Sequence, residues 1–242
     1  MNIGGERKNN LMENQNKKQS FFVGIDLGGK KKATTGLCIL EAKKEKLQFF
    51  PKYCKLCKDI KSIEIFKTIK PYLEKIEVIA IDGPLTLGKG KGLMRLYEKF
   101  LSTKIFRQER VNPLPPALLP ELSLTGKELV EELKRYGFVL DKNLIEVFPT
   151  LIKKICQEDF PAKFLKNKIC CQTENQKSAL ICAIVAFLHY QFKTRWLGYK
   201  DGFLFLPEMS FWKKDWRQKF YQAWMVKDRL KYHHLITNIF TQ

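Results

Sequence analysis

Three short apolar runs carry a carboxylate at or near their ends: Phe21-Phe22-Val23-Gly24-Ile25-Asp26, Val78-Ile79-Ala80-Ile81-Asp82 and Leu144-Ile145-Glu146-Val147-Phe148-Pro149. Continuous apolar runs of this length read as buried strands of a sheet with parallel pairing. Such a sheet needs helices on its faces, so the chain is constrained to an α/β fold. Desolvating a charge costs on the order of several kcal/mol, so a carboxylate ending an apolar strand calls for a reason. In open α/β sheets, ligands gather beyond the carboxyl ends of the strands. Asp26, Asp82 and Glu146 are therefore candidates to share a divalent cation.

The rest of the chain supplies the remaining elements. Residues 1–20 are polar and rich in Asn, Lys and Gln, and read as a disordered tail. After the first strand, Gly28-Gly29 and the lysines Lys30 to Lys32 make a turn. Ala33 to Leu40 and Leu47 to Phe50 then complete an antiparallel meander. Ile60, Ile63, Phe66, Ile69 and Leu73 recur at helical spacing, which predicts a helix over 59–74. A Gly/Lys loop over 83–92 leads to a helix from Leu93 to Leu101. A second helix over 124–136 stops at Gly137. Pro149 ends the last core strand, an apolar helix covers 177–192, and Asp201-Gly202 turns the chain into a strand over 203–206.

A chain of 242 residues suits one large domain or two small ones. No run reaches the ~18 apolar residues of a membrane span. The N-terminus lacks the apolar core of a secretory signal, so a cytoplasmic protein without membrane attachment is expected. The seven cysteines are an odd count, which argues for reduced thiols rather than a disulfide framework. Cys54-Lys55-Leu56-Cys57 has the spacing of half a zinc site, but the adjacent Cys170-Cys171 suits the other half poorly. The formal charge of +19 favours polyanionic partners, nucleic acid first, although many lysines serve only as solvated surface. The three histidines show no partnering pattern and read as packing or surface residues.

The order of these elements, a meander, a helix, two parallel strands and a closing helix, is that of the ribonuclease H-like fold. Several segments together resemble the DUF429 family of predicted nucleases. They are Gly24-Ile25-Asp26-Leu27, Ile81-Asp82-Gly83-Pro84-Leu85, Arg95-Leu96-Tyr97-Glu98, Leu124-Thr125-Gly126-Lys127-Glu128-Leu129, Ile145-Glu146-Val147-Phe148-Pro149, Ala179-Leu180-Ile181-Cys182-Ala183 and Asp201-Gly202. The resemblance covers about residues 21–207. It implies a mixed five-stranded sheet with flanking helices, and metal-assisted cleavage of phosphodiester bonds in nucleic acid. Asp26, Asp82 and Glu146 would hold Mg2+ or Mn2+. Lys30, Lys31, Lys89, Lys91 and Arg95 would meet substrate phosphates.

One position departs from that family, which commonly has Asp at the start of the closing helix where this chain has Ser178. Serine is a neutral and weaker ligand for magnesium. Glu174, about one turn earlier, is the candidate substitute. Without it, a second ion would bind poorly and the protein would bind nucleic acid with impaired cleavage. Other readings stay open. Glu146 inside an apolar strand also fits a buried ion pair with a lysine or Arg95. Arg95 and Glu98 stand at i, i+3 and fit a pair of their own. Gly24-Ile25-Asp26-Leu27-Gly28-Gly29 is also similar to the first phosphate motif of actin-like sugar kinases, an ATP-dependent class that normally has two such domains.

Residues 208–242 form a basic, aromatic C-terminal extension. Trp212, Trp216, Phe220 and Trp224 recur every four residues, along one stripe of a helix. Four large aromatics in register fit a buried packing face better than an exposed stacking platform for nucleic acid.

Overall fold

Side-chain alternation along the strands sorts the core into two apolar layers. Phe22, Val78, Ala80, Ile145 and Val147 fall on one face of the main sheet, and Val23, Ile25, Ile79, Ile81 and Leu144 on the other. The computed structural model describes residues 19–30, 32–43, 46–48, 57–89, 91–166, 171–228 and 232–240, with Lys43 and Lys91 described by backbone alone. Most of the expected polar tail, Lys31, the Lys91 side chain, the far end of the expected third strand, Cys54 and Cys170 lie outside the described residues.

The fold is α/β, with a mixed six-stranded sheet. Its strands are β1 (Phe21–Asp26), β2 (Thr35–Lys43), β3 (Lys46–Gln48), β4 (Cys57–Ile60), β5 (Ile76–Asp82) and β6 (Leu144–Val147). The order is β3-β2-β1-β5-β6, with β4 also on β2. β1 is antiparallel to β2 and parallel to β5, which is parallel to β6. The expected strand count of five becomes six because β3 and β4 divide the outer edge of β2. β3 pairs with Glu41 to Lys43, and β4 with Thr35 to Cys38. Left open, that edge would present unpaired backbone groups.

The helix expected over 59–74 is broken. β4 takes its first residues, and only α1 (Ile65–Ile69) is α-helical, between 3-10 turns at Ser62–Glu64 and Lys70–Lys75. Pro71 lacks an N–H and its ring collides with the carbonyl four residues back, so the α-helix cannot run through it. The helix expected from Leu93 begins later, as α2 (Leu96–Leu101), because Leu93 has a positive φ of 56° and Arg95 is the extended N-cap. α3 (Lys104–Gln108) follows, then α4 (Pro120–Lys134), with Gly137 just beyond it at φ 86°.

Pro149 does more than stop a strand. It opens α5 (Pro149–Ile155) at the first turn, where a missing N–H is harmless. After α6 (Phe160–Phe164), the closing helix α7 (Glu174–Tyr190) starts three residues earlier than its apolar pattern suggested. Thr173 caps it, its Oγ1 accepting the Gln176 N–H at 3.1 Å. α7 covers one face of the sheet, while α1 and α4 cover the other through Ile65, Ile69, Leu129 and Leu133.

A three-stranded antiparallel sheet follows, from β7 (Thr194–Tyr199), β8 (Gly202–Pro207) and β9 (Ile236–Thr237), in the order β8-β7-β9. α8 (Lys214–Met225) lies between β8 and β9. Trp212, Trp216 and Phe220 are buried, and Phe220 meets Phe100 and Phe106 edge-on or tilted. The aromatic stripe is thus a packing face. It shares one apolar cluster with α7 and β6, so the described residues of the C-terminal extension are joined to the main body by a common core. Among the described residues, no helix is long and apolar enough to cross a membrane.

Candidate functional site

β1 and β5 run parallel in a register that sets Asp26 directly beside Asp82 at their carboxyl ends. Alternation places both on the face of Gly24 and Ala80, which α7 crosses. That crossing is very close. A Cβ built on Gly24 would lie 1.9 Å from the Ala179 carbonyl oxygen and 2.3 Å from the Ala183 nitrogen. One on Gly36 would lie 2.1 Å from the Asn175 carbonyl oxygen. Two glycines therefore seat the start of α7 on β1 and β2, with Ser178 near Asp26.

The pair is electrostatically strained. Burial pushes the Asp26 carboxyl up to about 7, with a smaller push from Asp59, against the pull of Lys153 and the hydrogen bond with Ser178. Asp82 is raised well above the carboxylate range, first by burial, then by the charges of Asp26 and Glu146, with Lys153 opposing. Lys153 comes from α5. Its ammonium donates to Ser178 Oγ at 3.2 Å and lies 3.5 Å from a Glu174 carboxylate oxygen.

Glu146 takes a different role. Ile145 and Val147 lie on the α7 face, so strand alternation turns Glu146 to the side of Leu144. There its Oε1 accepts from Arg95 Nη2 at 2.7 Å and from the Tyr97 hydroxyl. Its Oε2 accepts from Arg95 Nη1 at 2.5 Å and the Leu85 N–H at 3.0 Å. A carboxylate offers about four acceptor positions. Protein donors fill all of them, which leaves none for a cation. The expected third metal ligand is instead the anchor of an ion network.

Arg95 is the centre of that network and only 1% exposed. Its Nη2 also meets Glu98 Oε1 at 2.6 Å, and its backbone N–H donates to Glu98 Oε2 at 2.7 Å. Burial works against the guanidinium charge, but Glu146, Tyr97 and Glu98 together hold its pKa above the ordinary value. Arg95 is therefore committed to two glutamates rather than free for a substrate phosphate. Both sequence alternatives, the Arg95–Glu146 and Arg95–Glu98 pairs, are present at once.

The other expected site residues scatter. Lys30 is held against α4, its N–H on Glu121 at 2.9 Å and its ammonium on Glu128 at 3.0 Å. Lys89 is exposed on the loop after β5. Glu174 heads α7 one turn before Ser178, but it is exposed and paired with Lys177 at 2.6 Å as well as with Lys153. A cleft of about 160 Å³ opens at the strand ends, lined among others by Asp26, Asp82, Tyr97, Pro113, Glu146 and Phe148.

Sequence reasoning missed Lys153 and Tyr97. Reading Pro149 as a first-turn residue of a helix would have put Lys153 one turn on, beside the strand ends. Tyr97 carried no chemical signal of its own.

Asp26 and Asp82 suit one hard cation, since magnesium is commonly held by one or two carboxylates and completes its shell with water and substrate phosphate. They do not suit two ions. Among the described residues no cluster of three or more His, Cys, Asp or Glu is placed to hold a metal. The Cys57 and Cys171 sulfurs approach to 3.8 Å, and the described cysteines are free thiols. His189 is a packing residue, bonded to Thr194 and the Lys142 carbonyl oxygen at 2.8 Å each.

No family model, curated protein or solved structure matches this chain.

Proposed function

We propose that the chain is a divalent-cation-dependent nuclease of ribonuclease H-like fold, of the kind the DUF429 resemblance implies. One observation carries the reading: two carboxylates side by side at the ends of adjacent parallel strands, with their ionised forms penalised by burial and mutual repulsion. A cation relieves such a penalty. The sheet order supports it, since an antiparallel meander followed by two parallel strands is what that fold requires.

Asp26 and Asp82 would hold one Mg2+ or Mn2+. When bound, the ion supplies a Lewis acid for a phosphoryl oxygen and an acidified water. The protein's own contribution is positioning. The Arg95–Glu146 network holds the loop after β5 through the Leu85 N–H. Pro113 and Phe148 give the cleft apolar walls, and Lys89 stands exposed for the substrate backbone.

A second reading, a nucleic-acid-binding protein that does not cleave, is favoured by the saturation of Glu146 and the neutral Ser178. Asp26→Asn separates the two. The nuclease reading expects loss of Mn2+-dependent cleavage of single- or double-stranded nucleic acid. It also expects a pH-dependent gain in stability in chelator. Asp26 binds its proton more tightly folded than unfolded, so between about pH 4 and pH 7 its contribution to stability falls as pH rises. The Asn variant escapes that loss. Its advantage in thermal melts is small at pH 4 and full above pH 7. Absence of cleavage by the native protein with either metal leaves the binding reading.

A further inference from the structure

Cys57 opens β4, and Cys171 lies just before Thr173, the cap of α7. They are 114 positions apart in sequence, yet their sulfurs stand 3.8 Å from each other. The Cys57 thiol also donates to the Gln176 carbonyl oxygen at 3.9 Å. Beside it, Thr173 Oγ1 donates to Asp59 Oδ1 at 3.0 Å. The thiols therefore sit in the junction between the sheet edge and the start of the closing helix. We propose that Cys57 and Cys171 form a reversible redox modification site, at which a small disulfide of the glutathione type joins them and ties β4 to the start of α7. This does not rest on the proposed nuclease activity.

Access decides the order of events. Among the described cysteines, Cys38, Cys57, Cys156 and Cys182 are buried and Cys171 is not, so a reagent meets Cys171 first. The Cys171 thiolate attacks one sulfur of the reagent, and one small thiolate leaves. The Cys57 thiolate then attacks the Cys171 sulfur, and the second small thiolate leaves. The two protons given up by the cysteines pass to the two released thiolates. Two protein thiols are thereby oxidised and one small disulfide is reduced. A disulfide is about 2.0 Å long, so the sulfurs close the gap by turning about their Cα–Cβ bonds. The closed loop takes in β5, α2 to α6 and β6, which restricts the unfolded chain strongly. The reaction is slow at neutral pH. The hydrogen bond with Cys171 draws the Cys57 thiol down, but the hydrogen bond with Cys38 and burial outweigh it and hold it above the ordinary range. The hydrogen bond with Cys57 and burial raise Cys171 in the same way. Both groups are thus almost wholly protonated, and only the thiolate reacts.

Oxidised glutathione added to the folded full chain tests this, with free thiols then blocked and the peptides mapped by mass spectrometry. One internal bond between Cys57 and Cys171 is expected, without retained glutathione. Its rate of formation should rise about tenfold per pH unit between about pH 7 and pH 8. The oxidised protein should melt about 5 °C or more above the reduced one, and dithiothreitol should reverse the shift. Amide exchange at Gln176 and Lys177, the first turn of α7, should slow on oxidation. Cys171→Ser, at a position that is not buried, should form no bond and show no shift. A lasting glutathione adduct on Cys171, a bond from Cys57 to Cys38 or Cys170, a lower melting temperature on oxidation, or no reaction at pH 8 overturns the proposal. Mapping the native protein needs no variant, so a failure of Cys171→Ser to fold leaves the test intact.

Discussion

At the scale of single residues, the fate of Glu146 turns on register. Its apolar neighbours announce burial, and burial demands either a cation or a fixed partner. Which one follows depends on the side of the sheet it faces. The β5–β6 pairing sets Glu146 opposite Ile81 rather than opposite Asp82. A shift of one residue would turn it toward the aspartates, because side chains alternate with period two. The parity of a strand relative to its neighbours is a long-range property, absent from the local sequence. The partner was legible, since Arg95 and Glu98 already stood at helical spacing and an Arg95–Glu146 pair was among the readings. Removing one member of a buried pair strands the other. Arg95→Met should therefore destabilise the fold by ~3–5 kcal/mol, with Glu98 and Glu146 left close together and unpaired. Urea unfolding measures it. A midpoint within error of the native one would mean the network contributes little to stability.

At the scale of elements, the strands that carry Asp26 and Asp82 were legible because buried parallel strands are continuous apolar runs. β7 and β9 were not foreseen. Thr194 to Tyr199 mixes arginine, tryptophan and glycine with few clear alternations, and Ile236–Thr237 is only two residues long. α5 was hidden by reading Pro149 only as a terminator, when proline also begins helices. The most demanding element contact is α7 on β1, and Gly24 makes it possible. Gly24→Ala forces the helix away from the sheet, because the added carbon meets backbone atoms that cannot rotate aside. The expected cost is ~1–3 kcal/mol or more. The shift also draws Ser178 from Asp26. Gly29→Ala is the matched control, since nothing lies within 4 Å of a Cβ there. Chemical denaturation of the two variants should separate them clearly. Equal stability would show that α7 sits more loosely than the close approach implies.

At the scale of the whole molecule, a formal charge of +19 outweighs anything a single site contributes to long-range attraction. The structure also removes one specific source of nucleic-acid affinity. Trp212, Trp216 and Phe220 are buried, Phe220 against Phe100 and Phe106, so that stripe offers no stacking platform for exposed bases. Lys219 is partly occupied as well, paired with Glu109 at 2.6 Å and lying 5.0 Å from the Trp216 ring centre. Any affinity for nucleic acid should therefore come from phosphate neutralisation by surface lysines, with little preference for sequence. Release of condensed counterions then sets the salt response. The logarithm of the binding constant should fall linearly with that of the salt concentration, with a slope of about −4 for roughly four to five phosphates on duplex DNA. Trp216→Ala should lower stability without changing that slope, because the ring fills core rather than stacking on bases. Fluorescence anisotropy with labelled oligonucleotides of unrelated sequence, between about 50 and 200 mM salt, measures both. A slope near zero would assign the charge to solvated surface. A loss of affinity in a still-folded Trp216→Ala protein would return the aromatic stripe to the nucleic-acid interface.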